Sequence, residues 1–407
     1  MGSIITLSLG RLEVDWGKNG IGRDHSLLFF PQDVKDVTYF YADNFKEKKP
    51  GYARLLGSIK MRLELLGYTL SSCKLMYEYG LEVSEYVDFP KIPFEGFARA
   101  LTNVDVDKVR LPDDPEWYDF GEWVVKNILE DYEFIKSNPE FGKLTKNDGF
   151  FFENIDPYVI LRLLAENENN VNKEVVWRFS DVLEGGWVDK DSVYQGLQDQ
   201  DRYLIVTEGS SDSAILKKSA ELVIPDVADF FYFIDMSENY PFTGTGNLYR
   251  FCQGLARIKI QNRILVVFDN DTAGHEAYKK VRKVELPPNM HVALLPNLDE
   301  CRPFNTVGPT GNSEEDINGR AVSIEMFLDL NHGAKRKPAV RWTSYNENLN
   351  CYQGELIDKE YYVRSFLKRK RFSGYDMSKL VLLWHHLMGC CIADGASHIA
   401  SAAASHH

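Results

Sequence analysis

The sequence has no CxxC pair, no long apolar run and no excess of cations, and each absence closes off a class of protein. Its six cysteines stand at 73, 252, 301, 351, 390 and 391. Without a CxxC pair they make neither a zinc ribbon nor a disulfide framework, and a reducing cytoplasm is the expected compartment. No stretch of about 18 uncharged apolar residues occurs, which argues against a membrane span. The opening residues, MGSIITLSLGRLEVDW, lack the basic and apolar regions of a signal peptide. A Met-Gly start suggests myristoylation, but the alternation around Ile4-Ile5 reads more simply as a first strand. There is no GxxxxGKS or GxxxxGKT, hence no P-loop ATPase. Lys and Arg number 47 against 60 Asp and Glu, for a net charge of −13. That balance argues against a chain that coats nucleic acid non-specifically, because phosphate binding needs clustered cations. It leaves room for a metal site, whose carboxylates add negative charge that bound ions cancel.

What is present suggests several domains. At roughly 150 residues per domain, 407 residues predict two or three. Residues 1–110 mix alternating runs with turn signals such as Gly10 and Gly17, the pattern of an α+β domain. Within it, apolar residues from Tyr52 to Leu66 recur at helical spacing up to Gly67. PEWYDFGEWVVKNILEDYEFIKS, YVILRLLAENEN and KEVVWRFSDVLEGGWV then predict a helical subdomain over 111–195. Over 196–330 the period changes. YLIVT, FFYFIDM, RILVVFDN and HVALL alternate with helical stretches, the last of them SIEMFLDL. That alternation predicts an α/β domain with a mostly parallel, Rossmann-like sheet. Residues 331–375 form a basic extension. Residues 331–372 hold ten basic and four acidic residues, clustered at Lys335-Arg336-Lys337 and Lys368-Arg369-Lys370-Arg371. With Trp342, Tyr345 and Tyr352 interleaved, the extension suits either a nucleic-acid grip or a solvated face. Residues 376–407, ending in GASHIASAAASHH, read as a tail, disordered or foreign to the native chain.

The acidic residues fall where a parallel sheet puts its chemistry, at strand C-terminal ends. Leu204–Thr207 runs into Glu208-Gly209, with Asp212 four residues after the glutamate. Ile264–Phe268 runs into Asp269-Asn270-Asp271, and Glu325 follows Asn318-Gly319-Arg320. Magnesium prefers hard oxygen ligands, and a two-ion site needs several carboxylates converging on one phosphate. Gly209 would let the backbone approach closely. Any one of these residues alone is as well read as a helix cap; together, in this order, they suggest a metal centre. Asp235, at the end of another strand, is a weaker candidate. Thr243-Gly244-Thr245-Gly246-Asn247 is either a phosphate-binding loop or a plain turn with an Asn cap.

TEGSSD at 207–212 and VFDND at 267–271 resemble the signature elements of Toprim domains. The Glu208 to Asp212 spacing resembles the OLD-like nuclease branch. LSLGRLEVDWGKN at 7–19, MRLELLGYT at 61–69, VLEGGWV at 182–188, NGRAVSIEMFL at 318–328 and YQGE at 352–355 resemble bacterial HEPN/Toprim-associated proteins. The resemblance implies that Glu208 is a metal ligand or general base and that Asp269 and Asp271 hold Mg2+. Asp212 and Glu325 would complete a second ion site, with Mn2+ a substitute. Arg320 would stand where OLD-like nucleases place a phosphate-steadying lysine.

No Arg is followed at HEPN ribonuclease spacing by a His, so any cleavage would fall to the Toprim part. The expected function is a cytoplasmic, metal-dependent endonuclease acting on DNA or RNA, tRNA among them, and the resemblance implies a role as an effector in anti-phage defence. Its first domain would sense a partner protein or phage trigger, or form a homo-oligomer, with no membrane involved. A non-catalytic Toprim module that binds nucleic acid or nucleotide is the alternative, and nucleotidyl transfer a third.

Overall fold

The structure, a computed structural model, describes residues 2–41, 45–82, 92–108, 120–130, 132–144, 150–234, 245–258, 262–309, 311–333 and 337–404. It divides into two units, Met1–Gln198 with Gly395–His407, and Asp199–Asp394.

The first unit is built on an antiparallel sheet. Its strands are β1 (Ile4–Leu9), β2 (Leu12–Lys18), β3 (Val34–Phe40), β4 (Lys46–Leu55) and β5 (Glu174–Arg178), in the order β2-β1-β5-β4-β3. Gly10 turns the β1–β2 hairpin at φ +60°, a conformation that costs glycine little. Helix α1 (Leu56–Leu65) continues directly from β4, and Gly67 ends it at φ +104°. The helical reading of Tyr52–Leu66 thus holds only from Leu56 onward. Among the described helices α2 (Leu70–Glu82), α3 (Phe94–Thr102), α4 (Phe120–Val124), α5 (Tyr132–Ser137) and α6 (Pro157–Leu164), the last is the hub. All eight of its residues are buried, and it packs on α1, α2 and α3; a helix apolar all round belongs in a core.

Two expectations give way here. KEVVWRFSDVLEGGWV is not one helix: Glu174–Arg178 is the central strand, hydrogen-bonded to β1 and β4, and only Ser180–Glu184 (α7) is helical. Val175, Val176 and Trp177 are buried on both faces, and β-branched and aromatic residues suit a pleated, packed surface. Residues 111–195 are consequently no separate subdomain, because β5 completes the sheet begun by β1.

The second unit holds a parallel sheet of β6 (Tyr203–Val206), β7 (Phe231–Phe233), β8 (Arg263–Phe268) and β10 (Met290–Leu294), in the order β10-β8-β6-β7. Helices α8 (Ser210–Val223), α9 (Thr245–Ile258) and α10 (Thr272–Val281) alternate with the strands, as the changing period predicts. β6 is buried throughout and β8 nearly so, which is what strands covered on both faces require. Strand β9 (Asn270–Asp271) pairs with β13 (Ala321–Val322). A mixed sheet of β11 (Phe304–Gly308), β12 (Gly311–Glu315), β14 (Val340–Asn346) and β15 (Cys351–Leu356) follows, then α11 (Lys359–Lys368).

The described residues of the basic extension are therefore part of this unit and supply its strands β14 and β15 and helix α11. SIEMFLDL is not a helix; Ile324–Phe327 makes a single buried 3-10 turn with extended backbone after it. The expected tail is also structured, as α12 (Ser378–Ala404). Leu380, Leu383, Trp384 and Leu387 are buried. Trp384 lies 4.9 Å from Phe231 and donates its indole N–H to Ser219 Oγ at 2.9 Å. The window Ser378–Ser397 is long and apolar enough to cross a membrane by composition; Leu380, Leu383, Trp384 and Leu387 are buried, whereas Val381 and Leu382 are exposed.

Candidate metal centre

Strands β6 and β8 are neighbours, yet the chain leaves β6 towards β7 on one side and returns to β8 on the other. The crevice at their C-terminal ends is thus the switch point of the sheet, where α/β folds place ligands. Glu208 emerges there from β6 and Asp269 from β8. The Asp269 N–H donates to Glu208 Oε1 at 3.4 Å, and the Thr245 hydroxyl donates to Glu208 Oε2 at 3.1 Å.

The other acidic residues arrive on nearby turns. Asp212, in the first turn of α8, accepts from the Gly209 N–H at 3.0 Å and the Ser211 hydroxyl at 3.1 Å. Asp271 accepts from the Gly274 N–H at 2.7 Å, capping α10, and from Gln353 Nε2 at 2.5 Å. Gln353 Oε1 in turn accepts from the Ala273 N–H at 3.0 Å. Glu325 is buried and accepts from the Ser323 hydroxyl at 2.7 Å. Asp212 and Asp271 therefore do serve as local backbone acceptors, the plainer role for such residues, while facing the shared crevice.

Their electrostatics tie them together. Burial, then the charges of Asp212, Glu208, Asp271 and Glu325, raise the Asp269 carboxyl well above the ordinary range. Burial followed by Asp271 and Asp212 pushes Glu208 up to about 7, and burial followed by Glu325 pushes Asp212 up to about 7. Burial also raises Asp271, against the opposing hydrogen bonds from Gly274 and Gln353. Desolvation and like charges both disfavour ionised carboxylates, so five acidic side chains share one neighbourhood. They do not converge on a point: among the described residues no group of three His, Cys, Asp or Glu side chains is arranged to hold a metal ion. The two observations are compatible, because repelling carboxylates spread apart and take protein donors.

Space constrains the site at Gly274. A Cβ there would lie 2.0 Å from the Asp269 carbonyl oxygen. Gly209, by contrast, is extended, and a Cβ on it would meet Asp212 Oδ1 at an ordinary 3.6 Å. Gly274 is thus the glycine whose missing Cβ the protein's own packing requires.

The Arg320 guanidinium pairs with Glu315 at 3.1 Å and lies 4.1 Å from the Trp342 ring centroid. Its backbone bridges to Asp271. Lys359, at the start of α11, is held above its ordinary pKa first by a hydrogen bond to Glu355 and further by the charges of Glu325 and Asp269. Asp235, Thr243 and Gly244 lie outside the described residues, as do Lys335 and Arg336; Thr245, Gly246 and Asn247 form the first turn of α9. Sequence reasoning missed Thr245, Gln353 and Lys359 as neighbours of the acids. The TGTGN and YQGE stretches marked the first two without assigning contacts, and the third was counted only among the cations of the basic extension.

No curated protein and no solved structure matches the chain. Residues 1–201 match the family model for HEPN/Toprim N-terminal domain 1. This HEPN/Toprim match coincides closely with the first unit and ends before β6, so the carboxylates lie beyond it. The matched part holds a polar network of its own, buried at His25 and Tyr158 and open to solvent at Arg23. Arg23 pairs with Asp156 at 2.9 Å and lies 3.9 Å from the Tyr158 ring centroid. His25 is hydrogen-bonded to Asp15 at 2.8 Å and to Tyr158 at 3.1 Å, and burial holds its pKa below the ordinary histidine value against the opposing pull of Asp15.

Proposed function

We propose that the second unit is a Toprim-type nuclease domain that hydrolyses phosphodiester bonds of DNA or RNA, tRNA among them, with two Mg2+ or Mn2+ ions. The observation that carries this reading is the meeting of Glu208 and Asp269 at the switch point of a parallel sheet, with Asp212, Asp271 and Glu325 near enough for their charges to act on them. All five offer hard oxygen donors, the kind magnesium takes. Enclosing that much negative charge without compensation is costly, and divalent cations fit it. Glu208, Asp269 and Asp271 would hold one ion, and Asp212 and Glu325 the second. Bound there, the ions would supply positive charge to the phosphodiester and to the water attacking it. The chain's own residues set the geometry: Gln353 orients Asp271, Thr245 orients Glu208, and Lys359 offers its ammonium to the phosphate in the role first expected of Arg320.

The setting follows from the resemblance: an effector in anti-phage defence, with the first unit sensing a phage component or partner protein, or joining copies of the chain. Six free cysteines suit a reducing cytoplasm, and no membrane is involved. A second reading, a binding module that hydrolyses nothing, draws support from the spread of the carboxylates. Incubation of the chain with plasmid, single-stranded DNA and total tRNA in Mg2+, Mn2+ or EDTA, beside Glu208→Gln, separates the two. Cleavage that needs the ion and is lost in Glu208→Gln supports the nuclease. Binding without cleavage in every condition supports the module.

A further inference from the structure

We propose that the cavity between the β14–β15 hairpin and α11 is the track for a single strand of nucleic acid leading to the carboxylate cluster. The inference rests on the nuclease reading above and names its substrate form. The cavity has a volume of about 830 Å3 and is lined by the cations Arg341, Lys359, Arg364 and Lys368, by the acids Glu355, Asp358 and Glu360, and by Tyr361. Lys359 pairs with Glu355 at 2.8 Å, and Arg364 with Glu360 at 3.0 Å. Arg341 and Lys368 are exposed and have no ion-pair partner among the described residues. In a chain of net charge −13, two unpaired cations in one cavity mark a place for phosphate, the ligand that repays them.

The cavity lies beside the acidic crevice, because Lys359 lines it and feels the charges of Glu325 and Asp269. Gln353 and Glu355 stand two residues apart on β15 and so share one face. Gln353 on that face holds Asp271, and Glu355 lines the cavity and pairs with Lys359. A strand whose phosphates follow Arg341, Arg364 and Lys368 would pass Lys359 before it meets Asp269 and Glu325.

Size selects the form of the substrate. The cavity is smaller than a cube of about 10 Å on edge, whereas the major groove of a B-DNA duplex is alone about 12 Å wide. A groove on this scale suits one strand laid along it, whose bases then have a stacking surface. Tyr361 provides it, exposed at its ring while its hydroxyl donates to the Gly333 carbonyl at 3.0 Å.

The test is fluorescence anisotropy of the full chain with a labelled oligonucleotide of about 12 nucleotides, as single-stranded DNA, single-stranded RNA and duplex, in Ca2+ over a salt series. Arg341→Ala/Lys368→Ala removes two exposed side chains and should leave the thermal melt in place. A single strand should bind at least tenfold more tightly than the duplex. The double variant should weaken that binding about tenfold and lower the slope of log affinity against log salt by about 1.4, two contacts at about 0.7 each. An unchanged slope, a preference for duplex, or equal affinity for a mononucleotide overturns the track. If cleavage still depends on Glu208 while the slope is unchanged, the track fails alone. If Glu208→Gln cleaves normally while the slope falls, the nuclease assignment fails and the groove stands as a binding surface.

Discussion

Replacing Gly274 by alanine should damage the second unit at its acidic centre. The new Cβ would sit 2.0 Å from the Asp269 carbonyl oxygen, 3.0 Å from its carbon and 3.2 Å from its nitrogen, where ordinary contact begins at 3.4 Å. All three are backbone atoms, so no flexible side chain can yield. Either the end of β8 or the first turn of α10 must move by more than about 1 Å, an overpacking cost of about 1–3 kcal/mol. The movement also loosens the cap in which the Gly274 N–H donates to Asp271 at 2.7 Å, at about 1 kcal/mol. The sum is about 2–4 kcal/mol, or a fall of about 5–15 °C in the melting temperature of a unit this size. The α9 glycine, Gly254, is the control: a Cβ there meets nothing within 4 Å, and alanine should gain up to about 1 kcal/mol in a helix interior. Differential scanning calorimetry, which resolves the transitions of a two-unit chain, reads both. A Gly274→Ala melt within a degree of wild type, with Mn2+ affinity unchanged, would refute the packing argument.

Three further outcomes follow from the same geometry. Gln353→Leu leaves the Ala273 N–H without its acceptor and takes a donor from Asp271; stability should fall by about 1–3 kcal/mol, and Mn2+ affinity with it, measured by isothermal titration. Trp384→Ala empties a fully buried site beside Phe231 and should cost about 3–5 kcal/mol in the calorimetric transition of the second unit, whereas a frayed tail would cost nothing. In the first unit, His25 has its pKa depressed by burial, so the unfolded chain binds the proton more readily than the folded one. Its contribution is fully present above the unfolded value of about 6.5 and is lost as pH falls below it. Wild type should lose stability more steeply than His25→Gln between pH 7 and pH 5, and parallel curves would contradict the assignment.

The parallel sheet was legible because its physics is local. Strands such as Arg263–Phe268 are apolar on both faces, which only a covered sheet accommodates, and Glu208 and Asp269 stand at their ends. The antiparallel unit was harder. Glu174–Arg178 sits in a run whose apolar spacing also suits a helix, and its pairing with β1, more than 160 residues earlier, is not a local signal. Glu325 was read onto a helix because Ile324, Met326 and Phe327 are apolar, yet their burial on all sides reflects a tight turn. Gln353 reaches the acids from β15 and Lys359 from the start of α11, a tertiary path that charge and composition do not encode. Arg320 looked right by position, but Glu315 and Trp342 together offer its guanidinium an ion pair and a ring face. The small residues of the C-terminal stretch masked Leu380, Leu383 and Trp384, which carry the helix into the core.

The central claim is that five side chains gathered from distant stretches hold divalent cations together. Manganese titration followed by electron paramagnetic resonance measures this without any substrate. Two bound ions per wild-type chain, with binding lost in Asp269→Asn and reduced to one ion in Asp212→Asn, is the result expected. Wild-type protein that leaves all the manganese free, or an Asp269→Asn variant that binds it equally well, would contradict the account.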